Sequence, residues 1–186
     1  LAKEVEDAVA VARLSLTHDG KRDWAFYRRA AETVFWPGVD AEYRQEMQGI
    51  ADGAAAGGAK LDLWDVVALN ASIEFGYYTA MLDRDGRSGA PDKCSAFVAT
   101  GRFTRDGRPV IAHNNWSGYL EGSRWNVIFD LRPAKGHRIL MDGMPGLIHS
   151  GDDFGVNAAG LAITETTITG FQGFDPAGIP EFVRAR

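Results

Sequence analysis

The stretch that decides the fold starts at the single cysteine and reads Cys94-Ser95-Ala96-Phe97-Val98-Ala99-Thr100-Gly101. Its small, β-branched and aromatic residues predict a buried strand. Residues 83–93, just before it, are polar and contain glycine and proline, which is typical of a loop. A nucleophilic side chain therefore opens a strand directly after a loop where a chain cut would disturb little of the core.

The pattern on the two sides of Cys94 differs. Before it, apolar residues recur at helical spacing over 3–16, 23–35, 40–56 and 62–77, with Asp23, Asp40 and Asp62 as expected N-caps. After it, strand-like segments follow one another, with Asp106-Gly107 as a hairpin signal. The strand predictions are 94–103, 109–112, 125–131, 137–141, 147–150, 154–157 and 161–168, followed by a short helix from Pro180. The sequence thus predicts an α+β fold with its helices first.

Composition excludes several functional classes. The chain has 186 residues with 20 basic and 25 acidic side chains, so its formal net charge is −5, which disfavours a non-specific nucleic-acid binder. No apolar run approaches the roughly 18 residues that span a bilayer, and we expect no stable membrane insertion. One cysteine and four histidines without metal-ligand spacing predict neither a disulfide nor a metal site, and we expect no cofactor.

The thiol of Cys94 needs a base to become a nucleophile. A cut before Cys94 would supply its own α-amine, whose pKa of roughly 7.7–8.0 suits a base at neutral pH. His113, at the end of the strand expected to pair with the Cys94 strand, is a second candidate. In a third interpretation, Cys94 is a buried, unreactive side chain. The residue pattern leaves these alternatives open.

Four segments, in this order, resemble the phospholipase B-like proteins. They are Cys94-Ser95-Ala96-Phe97-Val98, Ala112-His113-Asn114-Asn115-Trp116, Pro145-Gly146-Leu147-Ile148-His149-Ser150-Gly151-Asp152-Asp153-Phe154 and Gly160-Leu161-Ala162-Ile163-Thr164-Glu165-Thr166-Thr167-Ile168. These proteins belong to the N-terminal-nucleophile (Ntn) hydrolases, alongside the isopenicillin-N acyltransferase-like and bile-salt-hydrolase-like enzymes. The resemblance covers residues 94–168, and residues 1–93 fit the family's helical precursor segment more loosely.

The resemblance implies an αββα sandwich of antiparallel sheets, of which this chain holds only a part. It divides the chain into a helical precursor segment, 1–93, and the first part of the Ntn core, 94–186. It also implies autocatalytic cleavage between Lys93 and Cys94. The Cys94 thiol would then form a thioester with an amide- or ester-linked acyl group, as a hydrolase or acyltransferase of lipid metabolism.

Site residues follow from the same resemblance. Cys94 matches the nucleophile, and His113 and Asn114 match the motif on the second strand. Thr167 lies where the bile-salt-hydrolase-like relatives carry an oxyanion-hole asparagine, and its hydroxyl offers a donor instead. Those relatives place an aspartate near the nucleophile where this chain has Trp116.

Further residues are expected around the substrate. Trp116 is a candidate for an acyl-chain pocket, and Trp125 and Tyr119 are similar candidates whose commoner use is core packing. Asp153 is either a site acid or a turn residue, and Glu165 faces either the cleft or a helix layer. His149 is a candidate for assisting catalysis, although a histidine that ends a strand is more often a bystander.

The expected partners are a small acylated or lipid substrate and the remaining C-terminal portion of the same protein, since the resembling proteins are longer. The sequence does not identify a compartment; we expect a soluble protein, cytoplasmic or secreted and lysosome-like. Two rival hypotheses remain: a non-catalytic αββα binding or scaffold domain with a buried, uncut Cys94, and a redox-sensing thiol. Thiol accessibility and chain cleavage separate the three.

Overall fold

A computed structural model describes residues 1–83, 94–151, 154–166 and 173–186. Its α-helices are α1 (Ala2–Thr17), α2 (Trp24–Ala30), α3 (Ala41–Ala56), α4 (Leu63–Asn70), α5 (Glu74–Asp83), α6 (Tyr119–Gly122) and α7 (Glu181–Arg184). Its strands are β1 (Ser95–Gly101), β2 (Gly107–Asn114), β3 (Val127–Leu131), β4 (Ile139–Gly143), β5 (Gly155–Asn157) and β6 (Ala162–Ile163). The predicted α+β class is confirmed, with the long helices ahead of the strands.

Two of the predicted aspartate caps start helices through side-chain hydrogen bonds. The Asp23 carboxylate accepts from the Phe26 N–H at 2.8 Å at the start of α2. Asp62 accepts from the N–H groups of Trp64 and Asp65, and the Asp65 carboxylate accepts in return from the Asp62 N–H, which forms a capping box. Such caps satisfy N–H groups that have no partner inside the helix.

Two predicted helices are interrupted in the structure. The pattern over 62–77 splits into α4 and α5, with a turn at residues 71–73 between them. The segment over 23–35 continues α2 as a π-helix (Ala31–Phe35) and a 3₁₀ turn (Trp36–Gly38), in which Pro37 occupies the first turn. Apolar spacing predicts which face is buried, but it does not detect a change of helical pitch or a one-turn break.

The strands form two separate antiparallel sheets within the described residues. β1 pairs with β2 as the predicted hairpin, and β3, β4, β5 and β6 follow one another in a second sheet. The prediction that the strand after Cys94 is buried is wrong: β1 is exposed except at Ala99, because among the described strands only β2 packs beside it in its two-stranded sheet. The hairpin loop is longer than the signal suggested: it spans residues 102–106, and Gly107 already belongs to β2, where its φ of 75° suits glycine. The full αββα sandwich stays an expectation.

The strand predicted at residues 147–150 is wrong. The chain over 144–151 forms buried turns that pack against the helices. Gly146 adopts a φ of 92°, and a Cβ there would lie 2.8 Å from Leu69 Cδ2. The apolar run is therefore buried because of tertiary packing and not because of a sheet.

The main core joins both halves of the chain. Residues from α2, α3, α4 and α5 enclose Phe35 and Phe75, and Ile148 and Phe182 from the second half are buried in the same cluster. A second cluster joins α1 to Met144 and Leu147. Residues before and after Cys94 thus share their cores, while the division at 93/94 stays a prediction.

Candidate functional site

A cavity of about 1690 Å³ opens between the helices and the segments that follow Cys94. Its lining is largely apolar and includes residues of α1, α5 and the second half of the chain. The volume exceeds the roughly 300–1,000 Å³ of common small-molecule pockets. The cavity is therefore large enough for an extended ligand.

Cys94 lies on this cavity. It directly precedes β1, is half-buried, and its side chain is among the lining groups. The interpretation of a fully buried cysteine is therefore not supported. A half-exposed thiol at the wall of a large cavity can reach the carbonyl carbon of a bound substrate.

The hairpin register decides which neighbours share a face with Cys94. Ala96 pairs with His113 and Ser95 with Asn114, and Cys94 and Asn115 directly adjoin this last pair. Side chains alternate along a strand, which puts His113 and Asn115 on the Cys94 face and Asn114 on the other. Accordingly, Asn115 lines the cavity, while Asn114 Nδ2 donates to Ser95 Oγ at 3.4 Å. Asn115 was not among the predicted site residues, although it lies within the motif at 112–116.

His113 is half-buried and lies near a second residue that sequence reasoning missed, Asp142 on β4. Burial raises the pKa of Asp142, and the Asp142 amide, His113 and Trp125 oppose that shift. Trp125 lies close to the carboxylate, although neither Trp125 Nε1 nor Asp142 Oδ1 makes a hydrogen bond of normal geometry within the described part of the chain. The sequence feature that could have identified Asp142 is its position as the one acid in the otherwise apolar strand β4.

Trp116, Trp125 and Glu165 all line the cavity. Trp116 is 65% exposed, so most of its ring is open to a ligand, and Glu165 is half-buried. Tyr119 is 98% exposed and is not a lining residue.

Three predicted site residues lie outside the described ranges. They are the nucleophile's neighbour Lys93, the candidate acid Asp153 and the candidate oxyanion donor Thr167. Their roles stay predictions.

Glu74 is a cavity residue that the sequence did not single out. It is 8% exposed, and its Oε2 accepts a hydrogen bond from the Glu181 N–H at 2.7 Å. Burial raises the pKa of Glu74 to about 7, against the opposing effect of the Glu181 and Phe182 amides and the Arg184 charge. The carboxyl holds α7 against α5.

His149 is buried, and its ring nitrogens make hydrogen bonds to the backbone. Its Nδ1 accepts from the Gly151 N–H at 2.8 Å, so Nε2 carries the proton and donates to the Asn70 carbonyl at 3.2 Å. Complete burial lowers the pKa of His149 to about 4. The imidazole is therefore neutral near pH 7, with both nitrogens engaged, which disfavours a proton-transfer role.

The described ranges contain neither a metal-binding group nor a membrane-spanning helix. No group of three or more histidine, cysteine, aspartate or glutamate side chains is arranged to hold a metal ion there. No helix within those ranges combines the length and hydropathy of a membrane crossing.

Fold and cavity together define an α+β protein in which a cysteine at a strand start opens onto a large, mainly apolar cavity. The chain belongs to the phospholipase B family, whose sequence profile matches residues 20–184. The match spans both sides of Cys94, so the helices from α2 to α5 are part of the family's sequence, whereas α1 precedes the matched region.

A relative of this chain is an uncharacterized protein from Archaeoglobus fulgidus, which is 30% identical over 131 residues. The aligned region covers 67% of this chain and 21% of the relative. The chain thus spans about one fifth of the relative's length. No solved structure matches it significantly.

Proposed function

We propose that this chain carries the nucleophile and part of the substrate cavity of a self-processing Ntn hydrolase that acts on amide- or ester-linked acyl groups. The observation that carries the proposal is the position of Cys94, half-exposed on a large apolar cavity in a phospholipase B family chain. The family description supports a lipid hydrolase, and the cavity lining suits an acyl chain better than a polar substrate.

Processing would begin with attack of the Cys94 thiol on the Lys93 carbonyl carbon. The peptide C–N bond breaks, a thioester forms between Lys93 and the Cys94 sulfur, and the freed nitrogen becomes the α-amine of Cys94. Water then hydrolyses this thioester, releasing the Lys93 carboxylate and restoring the thiol. The new amine has an ordinary pKa of about 7.7–8.0, suited to accepting the thiol proton at neutral pH.

Turnover would use the same groups. The α-amine takes the thiol proton, the thiolate attacks the substrate carbonyl, and the leaving alcohol or amine takes that proton from the ammonium group. Water or another acceptor resolves the acyl thioester, which distinguishes hydrolysis from acyl transfer. We assign stabilisation of the oxyanion to amide and hydroxyl donors near Cys94, with Asn115 as the described candidate and Thr167 as a further one.

We assign His113 and Asp142 a positioning role at the Cys94 amine. His113 shares the Cys94 face of the hairpin and lies close enough to Asp142 to oppose the rise that burial causes in the pKa of that carboxyl. This pairing supports a role in orienting the Cys94 amine. Trp116, Asp153 and Glu165 are assigned to substrate binding, and the remaining portion of a longer protein is the proposed partner that completes the fold.

Intact-mass analysis under denaturing conditions, with N-terminal sequencing, tests the proposal. The full-length protein should give two pieces, the second starting at Cys94, and Cys94→Ala should give one uncut chain without turnover. Cys94→Ser should cut slowly. Complete cutting of the alanine variant would assign the cut to a foreign protease. An uncut wild type whose thiol resists alkylation would favour the scaffold alternative, and an uncut wild type that is alkylated would favour the redox sensor.

A further inference from the structure

One face of α1 lines the cavity that holds Cys94. The lining residues are Val11, Ala12, Ser15 and Leu16. Steps of one, four and five residues put all four on a single helical face. The first helix of the chain, about 80 residues before Cys94, is thus a wall of the nucleophile's own cavity.

Val11 is the residue of this face whose burial the helical packing explains least. It is 5% exposed, yet it belongs to none of the three clusters of buried hydrophobic residues found among the described ranges. Its neighbours Val9 and Ala12 do belong to one, with Met144 and Leu147. Val11 therefore borders the cavity and lies outside the clustered cores.

Apolar side chains elsewhere in the cavity are left exposed. Ile73, Trp116 and Ile179 are 45%, 65% and 59% exposed, and all three are lining residues. Exposed apolar surface inside a concavity is characteristic of a site for an apolar ligand. A nucleophile in the same cavity specifies a carbonyl at one end of that ligand.

We propose that α1 forms the wall of an acyl-chain channel and that Val11 limits the chain length accepted. This inference rests on the proposed function, because it takes the ligand to be the linear acyl group whose carbonyl reaches Cys94. The alkyl part lies along the Val11, Ala12 and Leu16 face. The segment assigned to the precursor would therefore be a determinant of substrate specificity.

Equilibrium binding tests the wall without requiring turnover. In this assay, the fluorescent fatty acid cis-parinaric acid is bound to protein carrying Cys94→Ala. Palmitate or octanoate is then added as a competitor, and the loss of fluorescence measures its affinity. Val11→Trp, which narrows the channel, should weaken palmitate binding about tenfold and leave octanoate within about twofold, because loss of about two buried methylenes accounts for tenfold.

Leu14→Trp is the matched control. Leu14 is 56% exposed on the same helix and is not a lining residue, so this variant should bind both fatty acids like the parent. Ser15→Trp, at a half-buried lining position, provides a second test if Val11→Trp does not fold by circular dichroism. Equal palmitate affinity in the folded wall variants and the parent, or no palmitate binding by the parent, would overturn the proposal.

Hydrolysis of p-nitrophenyl esters from acetate to palmitate separates this proposal from the proposed function. If the wild type cleaves no ester while Val11→Trp still loses palmitate binding, the proposal that α1 forms the channel wall is supported and the hydrolase proposal fails. If the wild type and Val11→Trp cleave esters with the same chain-length profile, the hydrolase proposal is supported and the proposal that Val11 limits chain length fails.

Discussion

The Asn70 side chain at the end of α4 holds the backbone of Ile148, 78 residues later: the Ile148 N–H donates to Asn70 Oδ1 at 2.9 Å. Asn70 Nδ2 donates to the carbonyls of Gly146 and Val66 at 3.0 and 2.9 Å. The Asn70 carbonyl accepts from His149. One buried amide therefore joins the helical half of the chain to the turns at 144–151.

Replacing Asn70 with alanine should lower the free energy of unfolding by about 3 kcal/mol. The substitution leaves a buried N–H and a buried carbonyl without partners and opens a small cavity. Urea unfolding measures the loss. Gln48→Ala removes an exposed hydrogen bond to Asp52 and should change stability by less than about 0.5 kcal/mol; an equal loss in both variants would contradict the assignment.

Gly146 should be intolerant of a side chain. In Gly146→Ala the new Cβ would lie 2.8 Å from Leu69 Cδ2 and 3.1 Å from Val5 Cγ1, at a φ of 92°. Gly136→Ala has a similar φ of 94° but open space around the Cβ, so it isolates the backbone strain. We expect a loss of about 1 kcal/mol at Gly136 and at least about 2 kcal/mol at Gly146 in thermal unfolding. Equal losses would mean that packing at Gly146 does not matter.

Glu74 should make the protein less stable as the pH rises. Its folded-state pKa of about 7 lies above the ordinary 4.5, so the folded protein holds this proton more tightly than the unfolded chain. The associated stability is fully present below pH 4.5 and is lost as pH rises to about 7, by about 3 kcal/mol. Because His149 shifts stability in the opposite direction over nearly the same pH range, the test is the difference from the wild type. The stability of Glu74→Gln relative to the wild type should rise by about 3 kcal/mol from pH 4.5 to 7, and its side-chain oxygen should still accept from the Glu181 N–H. Urea midpoints from pH 4.5 to 8 test it, with the exposed Glu32→Gln as control.

His149 should make the protein less stable as the pH falls, which is opposite to the effect of Glu74. Its folded-state pKa of about 4 lies below the ordinary 6.5, so the unfolded chain takes up a proton that the folded protein refuses. Stability is full above pH 6.5 and falls by about 3 kcal/mol as pH drops to about 4. Relative to the wild type, His149→Gln should gain about 3 kcal/mol of stability as pH falls from 6.5 to about 4, even if it lowers stability overall. The exposed His137→Gln should show no such gain relative to the wild type. An unchanged slope in His149→Gln would show that another group titrates.

A cut between Lys93 and Cys94 should leave the two pieces bound to each other. Phe182 and Ile148 lie in the helical core, Arg124 pairs with Asp7, and Arg186 pairs with Glu46. We therefore expect both pieces to elute together in size-exclusion chromatography and to separate in denaturant. Elution of the helical piece alone under native conditions would show that the shared core is too weak to hold it.

Local signals in the sequence predicted the elements well where the cause is local. Asp23 and Asp62 predicted helix starts because a short acceptor side chain binds the first N–H groups. The Asp106-Gly107 pair predicted the β1–β2 hairpin, whose register then puts His113 on the Cys94 face. The motif around Cys94 also predicted the family that the profile match confirms.

The sequence by itself determined the α+β class, the helix caps, the hairpin and the candidate nucleophile, because each depends on neighbours within a few residues. Tertiary structure alone decided that residues 147–150 form turns, that Asn115 accompanies Cys94 at the cavity, and that Glu74 holds α7. It also brought Val11 of α1 to the cavity of Cys94. Those relationships depend on burial and on contacts between segments far apart in the chain, which no local pattern of residues encodes.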